Sequence, residues 1–374
     1  MKVIHVLGSA KFGGIEKIVF ELASIQIKSG LEVELLFIFE TGAGEFFSKF
    51  TELGIKIHLP AFQNGFDFSL RKINAVKAIL KEKDIIHFHT FNPALSIALV
   101  GRKNAKIVYT EHGVFGYGRP AKWTDVFIHF AKKQFLKEIV DLIIYNSNYT
   151  QTEAEKKYGY LKTRSTVIYN GMPTTANLPQ ITNDEIQLKN SLEKKFVIGT
   201  TSRFAGVKRI EKLIHAFVQF SSTNKNVRLL LVGDGPQRDY FEALISKLKI
   251  EEDVILTGYK PNVGSFQAMM DVCVVPSFKE SFGMVAIECL SLGKPVIVFQ
   301  DGGGIIEIVQ PIAPDDVVAN DNELCNRLQF YYDNPDILHE KSKDRIIRAM
   351  EFDITLMHQK ILQRYQELGE PVDS

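Results

Sequence analysis

The chain has 374 residues, of which 45% are hydrophobic and 24% charged, and its formal net charge is +1. That length exceeds what one hydrophobic core ordinarily holds, so two domains are expected. The near-neutral balance excludes the bulk basic field of a dedicated nucleic-acid binder, and no nucleic-acid partner is expected.

From the N-terminus, short apolar runs bounded by Gly, Asn or Asp recur: VIHVLG from residue 3, EVELLFIF from 32, DIIHFH from 84, KIVYTEH from 106, LIIYNS from 142 and STVIYNG from 165. Between them lie stretches with helical spacing, such as Ile15 to Ile27 and Ile73 to Leu80. Strands alternating with helices imply βαβ units and a parallel sheet buried on both faces. The opening MKVIHVLGSAKFGG is a strand-like run, not the long apolar region of a signal peptide. No stretch approaches the ~20 apolar residues of a membrane span. A cytoplasmic protein is expected, with at most peripheral contact at the inner face of the membrane.

At MPTTANLPQITNDE (172–185) the alternation lapses into a polar, Pro- and Thr-rich linker candidate. It then restarts with KFVIGTTSR, VRLLLVGDG, DVILTGY, VCVVPS and PVIVFQ. The expectation is an α/β protein of two doubly wound domains, in which ligands bind outside the carboxyl ends of the strands. The tail FDITLMHQKILQRYQEL places Ile354, Met357, Ile361, Tyr365 and Leu368 on one side of an amphipathic helix. Three cysteines, Cys273, Cys289 and Cys325, form no CxxC pair and sit among apolar neighbours, which reads as small core residues in a reducing compartment.

The strand-end loops carry the chemistry. In the first, Gly13 and Gly14 open a helix whose free N–H groups can receive a phosphate. The pattern is neither GxGxxG nor a P-loop, and a plain tight turn fits as well. His89 and His112 end consecutive strands and can converge on one cleft. Glycines at 113, 116 and 118 behind His112 suit a loop folding over a substrate. A metal site is not expected there, because no third ligand with suitable spacing stands nearby. In the second half Arg203 ends a strand and Lys208 follows near a helix start, a guanidinium fork and an ammonium suited to a diphosphate. Gly233 and Gly235 allow a flat ring or a ribose to come close.

The stretch FKESFGMVAIECLSLGKPVI (278–297) places Glu280 and Glu288 on either side of a Ser-Phe-Gly turn. Ser281 reads as an N-cap, with Gly283 in the first turn and Gly293 ending the helix. The N–H groups of Gly283, Met284 and Val285 then point at an anion with the helix dipole behind them. Glu288 falls roughly two turns in, about 10 Å from the cap. The paired carboxylates of a glycoside hydrolase sit about 5–9.5 Å apart across one bond. Two glutamates straddling a phosphate-binding turn fit better as acceptors for hydroxyls at the two ends of a sugar nucleotide.

The series GGIE, TEHG, VIYNGM, SRFAGVKRIEKLI, VGDGP and PSFKESFGMVAIECLSLGKPVI, followed by GGGIIEIV, resembles the family-4 retaining glycosyltransferases of the GT-B fold, in the family's order and over nearly the whole chain. The resemblance implies two facing Rossmann-like domains, with a nucleotide-sugar donor held mainly by the C-terminal one. It implies residues 1–175 as the acceptor domain, 176–352 as the donor domain and a last helix (353–374) crossing back. On the matching positions it implies that Arg203 and Lys208 bind the diphosphate and that Glu288 holds the ribose hydroxyls. Glu280 then contacts the transferred sugar beside Ser281 and the amides of Phe282 to Val285. His112 lies beside the sugar and Gly14 lines a phosphate loop. The reaction it implies is transfer of a hexose-type sugar to a glycan or lipid-linked acceptor with retained configuration and no divalent metal or other cofactor, in polysaccharide or glycolipid synthesis.

Two features depart from the pattern. After GGGIIEIV the chain continues as the proline-rich, acidic QPIAPDDVVANDN, where the local loop is expected to differ. The segment 116–140 is long, aromatic and basic, and reads either as a membrane-surface helix or as a core-packed helix with solvated lysines. Two other readings remain open on sequence: a GT-B-fold UDP-N-acetylglucosamine epimerase, and a non-catalytic sugar-nucleotide-binding subunit.

Overall fold

The computed structural model describes residues 1–10, 13–39, 44–99, 104–113, 123–159, 163–174 and 181–369. Residues 114–122, the first part of the aromatic basic segment, and 175–180 of the polar stretch lie outside the described residues. The chain divides into two compact units, one of Met1–Pro173 with Ile354–Ser374 and one of Thr174–Asp353.

The first unit is built on β1 (Lys2–Leu7), β2 (Glu32–Phe37), β3 (Lys56–His58), β4 (Ile85–Phe88), β5 (Lys106–Glu111), β6 (Leu142–Tyr145) and β7 (Ser165–Val167). They form a sheet in the order β3-β2-β1-β4-β5-β6-β7, parallel throughout. Because both faces are covered, the central strands are buried at nearly every position rather than at alternate ones, and most of those positions are apolar. Ile4, Val6, Ile86, Phe88, Ile107 and Tyr109 face one core. Leu7, Val33, Leu35 and Phe37 face another, under the helix Gly14–Lys28. Each such fully buried large side chain contributes about 1.5–3 kcal/mol relative to exposure.

The tail forms the helix Ile354–Gly369, burying Ile354, Met357, His358, Ile361, Tyr365 and Leu368. It returns to the first unit, where Ser29 Oγ meets His358 Nε2 at 3.0 Å.

The second unit holds β8 (Phe196–Thr201), β9 (Val227–Val232), β10 (Val254–Leu256), β11 (Val272–Val275), β12 (Val296–Phe299) and β13 (Val317–Val318). Their order is β10-β9-β8-β11-β12-β13, again all parallel. The strand order reverses between β1 and β4 in one unit and between β8 and β11 in the other. Those switch points open the crevices where open α/β sheets bind ligands. The unusual QPIAPDDVVANDN segment supplies the edge strand β13. Its Asp316 is buried and accepts hydrogen bonds from Arg327 Nε at 2.5 Å and Tyr331 OH at 2.8 Å. All three cysteines are buried and free.

Candidate active site

At the switch point of the second unit, four loops meet. β8 runs into Ser202, Arg203 and Phe204, and Phe204 N–H donates to Asp234 O at 2.9 Å. Gly233 (φ 147°) and Gly235 (φ 157°) are required by this crossing. A Cβ on Gly233 would stand 1.9 Å from Ser202 O, and one on Gly235 would stand 2.5 Å from Phe204 O. The closeness these glycines allow is therefore of chain to chain. Arg203 is exposed, with no ion pair among the described residues.

Gly206–Lys208 forms a single 3-10 turn, and Arg209 then takes a left-handed conformation (φ 47°) to start the helix Ile210–Thr223. Lys208 Nζ donates to Glu280 Oε2 at 2.5 Å. Both side chains keep about a fifth of their surface exposed, 22% and 23%. Desolvation pushes the Glu280 carboxyl up, but the charge and hydrogen bond of Lys208 outweigh it and hold it below the usual range.

The backbone of Glu280 is stitched into the glycine loop after β12. Its N–H donates to Gly302 O and its carbonyl accepts from Gly304 N–H, both at 2.7 Å. On its other side Phe278 N–H donates to Val207 O at 2.8 Å. Glu280 thus sits where the β8, β11 and β12 loops are joined.

The helix after this turn spans Met284–Ser291, and its N-cap is Gly283 (φ 104°), not Ser281. The expectation of a serine cap fails because Ile305 crowds the turn. A Cβ on residue 283 would lie 2.5 Å from Ile305 Cγ1, so the chain enters the helix through a left-handed glycine. Ser281 and Phe282 precede the cap, and Phe282 is buried against Phe352, ring centroids 5.7 Å apart. In the first turn the amides of Met284 and Val285 have no intrahelical acceptor. Glu288 lies about half a turn closer to the helix start than the sequence suggested, about 7.5 Å along the axis from Gly283. Gly293 does follow the helix end in a left-handed conformation (φ 71°).

The two glutamates have different neighbours. Glu280 pairs with Lys208, whereas Glu288 accepts from Gln267 Nε2 at 3.2 Å, the same amide that donates to Thr201 Oγ1 at 2.9 Å. The two carboxylates are thus held by different side chains on different elements, Lys208 for Glu280 and Gln267 for Glu288.

In the first unit, Gly13 is the N-cap of the helix Gly14–Lys28 with no side-chain cap, and its backbone is extended. Gly14 faces open space. The Glu16 carboxyl lies over this turn, raised by burial and partly relieved by a hydrogen bond to its own amide. His89 and His112 are brought together, with His89 Nδ1 to His112 Nε2 at 2.9 Å. Asn146 Nδ2 donates to His112 O at 3.3 Å.

Sequence reasoning missed several members of these sites. His5 and His87, from β1 and β4, lie beside His89, and one nitrogen from each of the three falls within 4.8 Å of the others. The expectation that no third metal-ligating group stands near His89 is therefore corrected. Their nitrogens take part in side-chain hydrogen bonds: His5 with His89 and Gln26, His87 with Tyr365 OH at 2.5 Å and Thr110 Oγ1 at 2.6 Å. Arg209 was also missed. It grips Asp301 with both terminal nitrogens, at 2.7 and 2.5 Å, and caps Pro276 O at 2.8 Å, bracing the β8, β11 and β12 loops. Its signal was the second cation in VKRIEKL together with the aspartate of QDGGG.

Comparison with known proteins agrees with both halves. Residues 12–176 match the model of "Glycosyltransferase Family 4", and residues 182–349 match that of "Glycosyl transferases group 1". The N-acetyl-alpha-D-glucosaminyl L-malate synthase of Bacillus anthracis is 29% identical over 66% of this chain, a stretch spanning 64% of that enzyme, just under two thirds. The alpha-monoglucosyldiacylglycerol synthase of Acholeplasma laidlawii is 27% identical over 77% of this chain and 76% of its own. Among solved structures, Anabaena HepE in complex with UDP superposes with a TM-score of 0.82 at 21% identity, covering 98% of this chain and 100% of that one. WaaG, a glycosyltransferase involved in lipopolysaccharide biosynthesis, superposes with a TM-score of 0.72 at 17% identity, covering 96% and 98%. These likenesses establish the GT-B fold.

Proposed function

The chain belongs to the family-4, group 1 glycosyltransferases, and from that membership we propose that it moves a hexose-type sugar from a nucleoside diphosphate sugar to a hydroxyl of a glycan or lipid-linked acceptor. Transfer retains the anomeric configuration and uses no divalent metal.

The observation that supports this reading is the Lys208–Glu280 pair where the β8, β11 and β12 loops are joined, with Arg203 on the same β8 loop and the helix start at Gly283–Met284 following Glu280. Two cations and first-turn amides supply what a departing diphosphate needs as its charge develops. Glu280, ionised beside Lys208, accepts from sugar hydroxyls. Glu288, held by Gln267, accepts from the ribose. His112, Gly13 and Gly14 serve the sugar and phosphates from the strand ends of the first unit. The departing phosphate takes the acceptor's proton, and no side chain acts as nucleophile.

A lipid-linked acceptor is favoured by one surface. The helix Trp123–Glu138 buries Phe135 and Leu136, and its Lys132 donates to Glu111 at 2.5 Å. Its other side leaves Val126 65%, Phe127 45% and Phe130 58% exposed. Phe66 joins them, its ring 5.8 Å from that of Phe127, and Phe68 and Leu70 follow it exposed. Among the described residues no helix is long and apolar enough to cross a membrane. Contact of this face with the inner membrane leaflet is peripheral.

The test is a panel of nucleotide sugars assayed for nucleoside diphosphate release, with and without membrane-lipid acceptors and with and without EDTA. Release that depends on an acceptor and survives EDTA is expected. Failure of every donor to bind at high micromolar concentration removes the donor site, and activity lost in EDTA and restored by Mn²⁺ removes the metal-free mechanism.

A further inference from the structure

A file of buried groups runs beneath the strand ends of the first unit. Gln26 Oε1 lies 2.7 Å from His5 Nε2, His5 Nδ1 lies 2.9 Å from His89 Nε2, and His89 Nδ1 lies 2.9 Å from His112 Nε2. Gln26 and His5 are fully buried, and His89 and His112 are 3% and 6% exposed. Water therefore cannot substitute for a missing partner along most of the file.

A neutral imidazole has one N–H and one lone pair, so the direction chosen at one end propagates to the other. The Gln26 oxygen only accepts, so His5 donates from Nε2 and its Nδ1 is a lone pair. That lone pair takes the Nε2–H of His89, whose Nδ1 in turn takes the Nε2–H of His112. His112 Nδ1 then remains a lone pair. It is buried and, among the described residues, without a protein partner, on the residue directly after β5 where ligands of such sheets bind. The file ends on an amide oxygen, which does not titrate in the range of protein side chains, so it cannot export a proton taken up at His112. It orients the imidazole and does not discharge it. Burial, which pushes His5 down to about 4 and His112 down to about 3, keeps the rings neutral.

We propose that Gln26, His5 and His89 are positioning residues that lock His112 in its Nε2–H tautomer, so that the Nδ1 lone pair accepts a hydrogen bond from a hydroxyl of the sugar substrate. The identity of that hydroxyl rests on the glycosyltransferase reading; the tautomer is a property of the protein alone.

Long-range ¹H–¹⁵N correlation spectra of the ¹⁵N-labelled full chain read the tautomer directly. Wild type and Gln26→Glu, whose carboxylate also only accepts, are expected to show the Nε2–H form at His112. Gln26→Leu is expected to show mixed tautomers. It should also slow UDP release from the probe UDP-glucose about tenfold, the weight of one misdirected hydrogen bond, with KM within about twofold. An Nδ1–H form at His112 in wild type overturns the proposal, as does an unmixed Nε2–H form in Gln26→Leu. If Gln26→Leu does not fold, the wild-type spectrum alone decides. If UDP-glucose is not turned over, the spectra still decide the tautomer, and the failure belongs to the donor assignment.

Discussion

Lys208 and Glu280 hold each other in a partly exposed ion pair at the point where three loops are joined. A pair with this much solvent contact adds little to stability, commonly under about 1 kcal/mol, because water screens both charges. Its value in the proposed reaction lies in position: an ammonium aimed at phosphate and a carboxylate kept ionised for hydroxyls. Lys208→Ala should therefore spare the fold while weakening donor binding or turnover by about tenfold or more, the scale of a lost charge-assisted hydrogen bond. Glu288→Ala should act similarly through the ribose. Donor titration by calorimetry alongside a thermal melt checks both, and a melt near wild type with unchanged donor affinity removes the residue from the site. Lys208, Glu280 and Glu288 stand out as candidates in the sequence because they lie in local strand-loop-helix units. Arg209 and Gln267 do not, since their partners at Asp301, Pro276, Thr201 and Glu288 come from other parts of the chain.

At the scale of elements, most strands were legible as largely apolar runs because a doubly covered parallel sheet buries both faces of each strand. The exceptions have physical reasons. Lys56–His58 is a short, partly exposed edge strand of mixed polarity, and Val317–Val318 is only two residues long. The misplaced helix cap at Ser281 is instructive. A serine before an apolar run is the ordinary N-cap signal, but the decisive contact, Ile305 against Gly283, comes from the loop after β12. The helix Trp123–Glu138 shows a divided case, since one side enters the core and the other presents Val126, Phe127 and Phe130. By helical spacing Lys133 and Lys137 continue the Val126–Phe130 stripe, the composition of a face that meets anionic lipid. Phe127→Glu combined with Phe130→Glu should cut co-sedimentation with anionic phospholipid vesicles about fivefold or more. Turnover with a water-soluble acceptor should not change. Undiminished vesicle binding by the double variant would sink the membrane assignment for this face.

At the scale of the whole molecule, the least legible feature is the set of histidines. His5, His87, His89 and His112 lie on or just beyond three neighbouring strands of the sheet, and Tyr365 reaches His87 from the last helix, 278 residues later in the chain. The strand ends announce His89 and His112 but not His5 and His87; the full set exists only once β1 lies beside β4 and β4 beside β5. Its consequence is acid sensitivity. Burial lowers all four imidazoles from their ordinary value near 6.5, to about 4 for His5 and about 3 for His112, with His87 and His89 well below it. Unfolded, the same groups titrate near 6.5. The unfolded chain therefore binds protons that the folded chain refuses, and the native state loses ground as pH falls. Stability should be intact above about pH 6.5 and decline from there toward pH 4, each histidine adding up to about 1.4 kcal/mol per pH unit once below 6.5. The charge of Lys132 disfavours the imidazolium of His112 further, so it reinforces the trend. Fluorescence of the single tryptophan, Trp123, which belongs to the first unit, follows unfolding there. Its denaturation midpoint should fall steeply between pH 6.5 and 4.5, and His87→Phe, with one fewer group to charge, should flatten the slope. A midpoint independent of pH over that interval would mean that the four imidazoles are not held neutral in the folded protein.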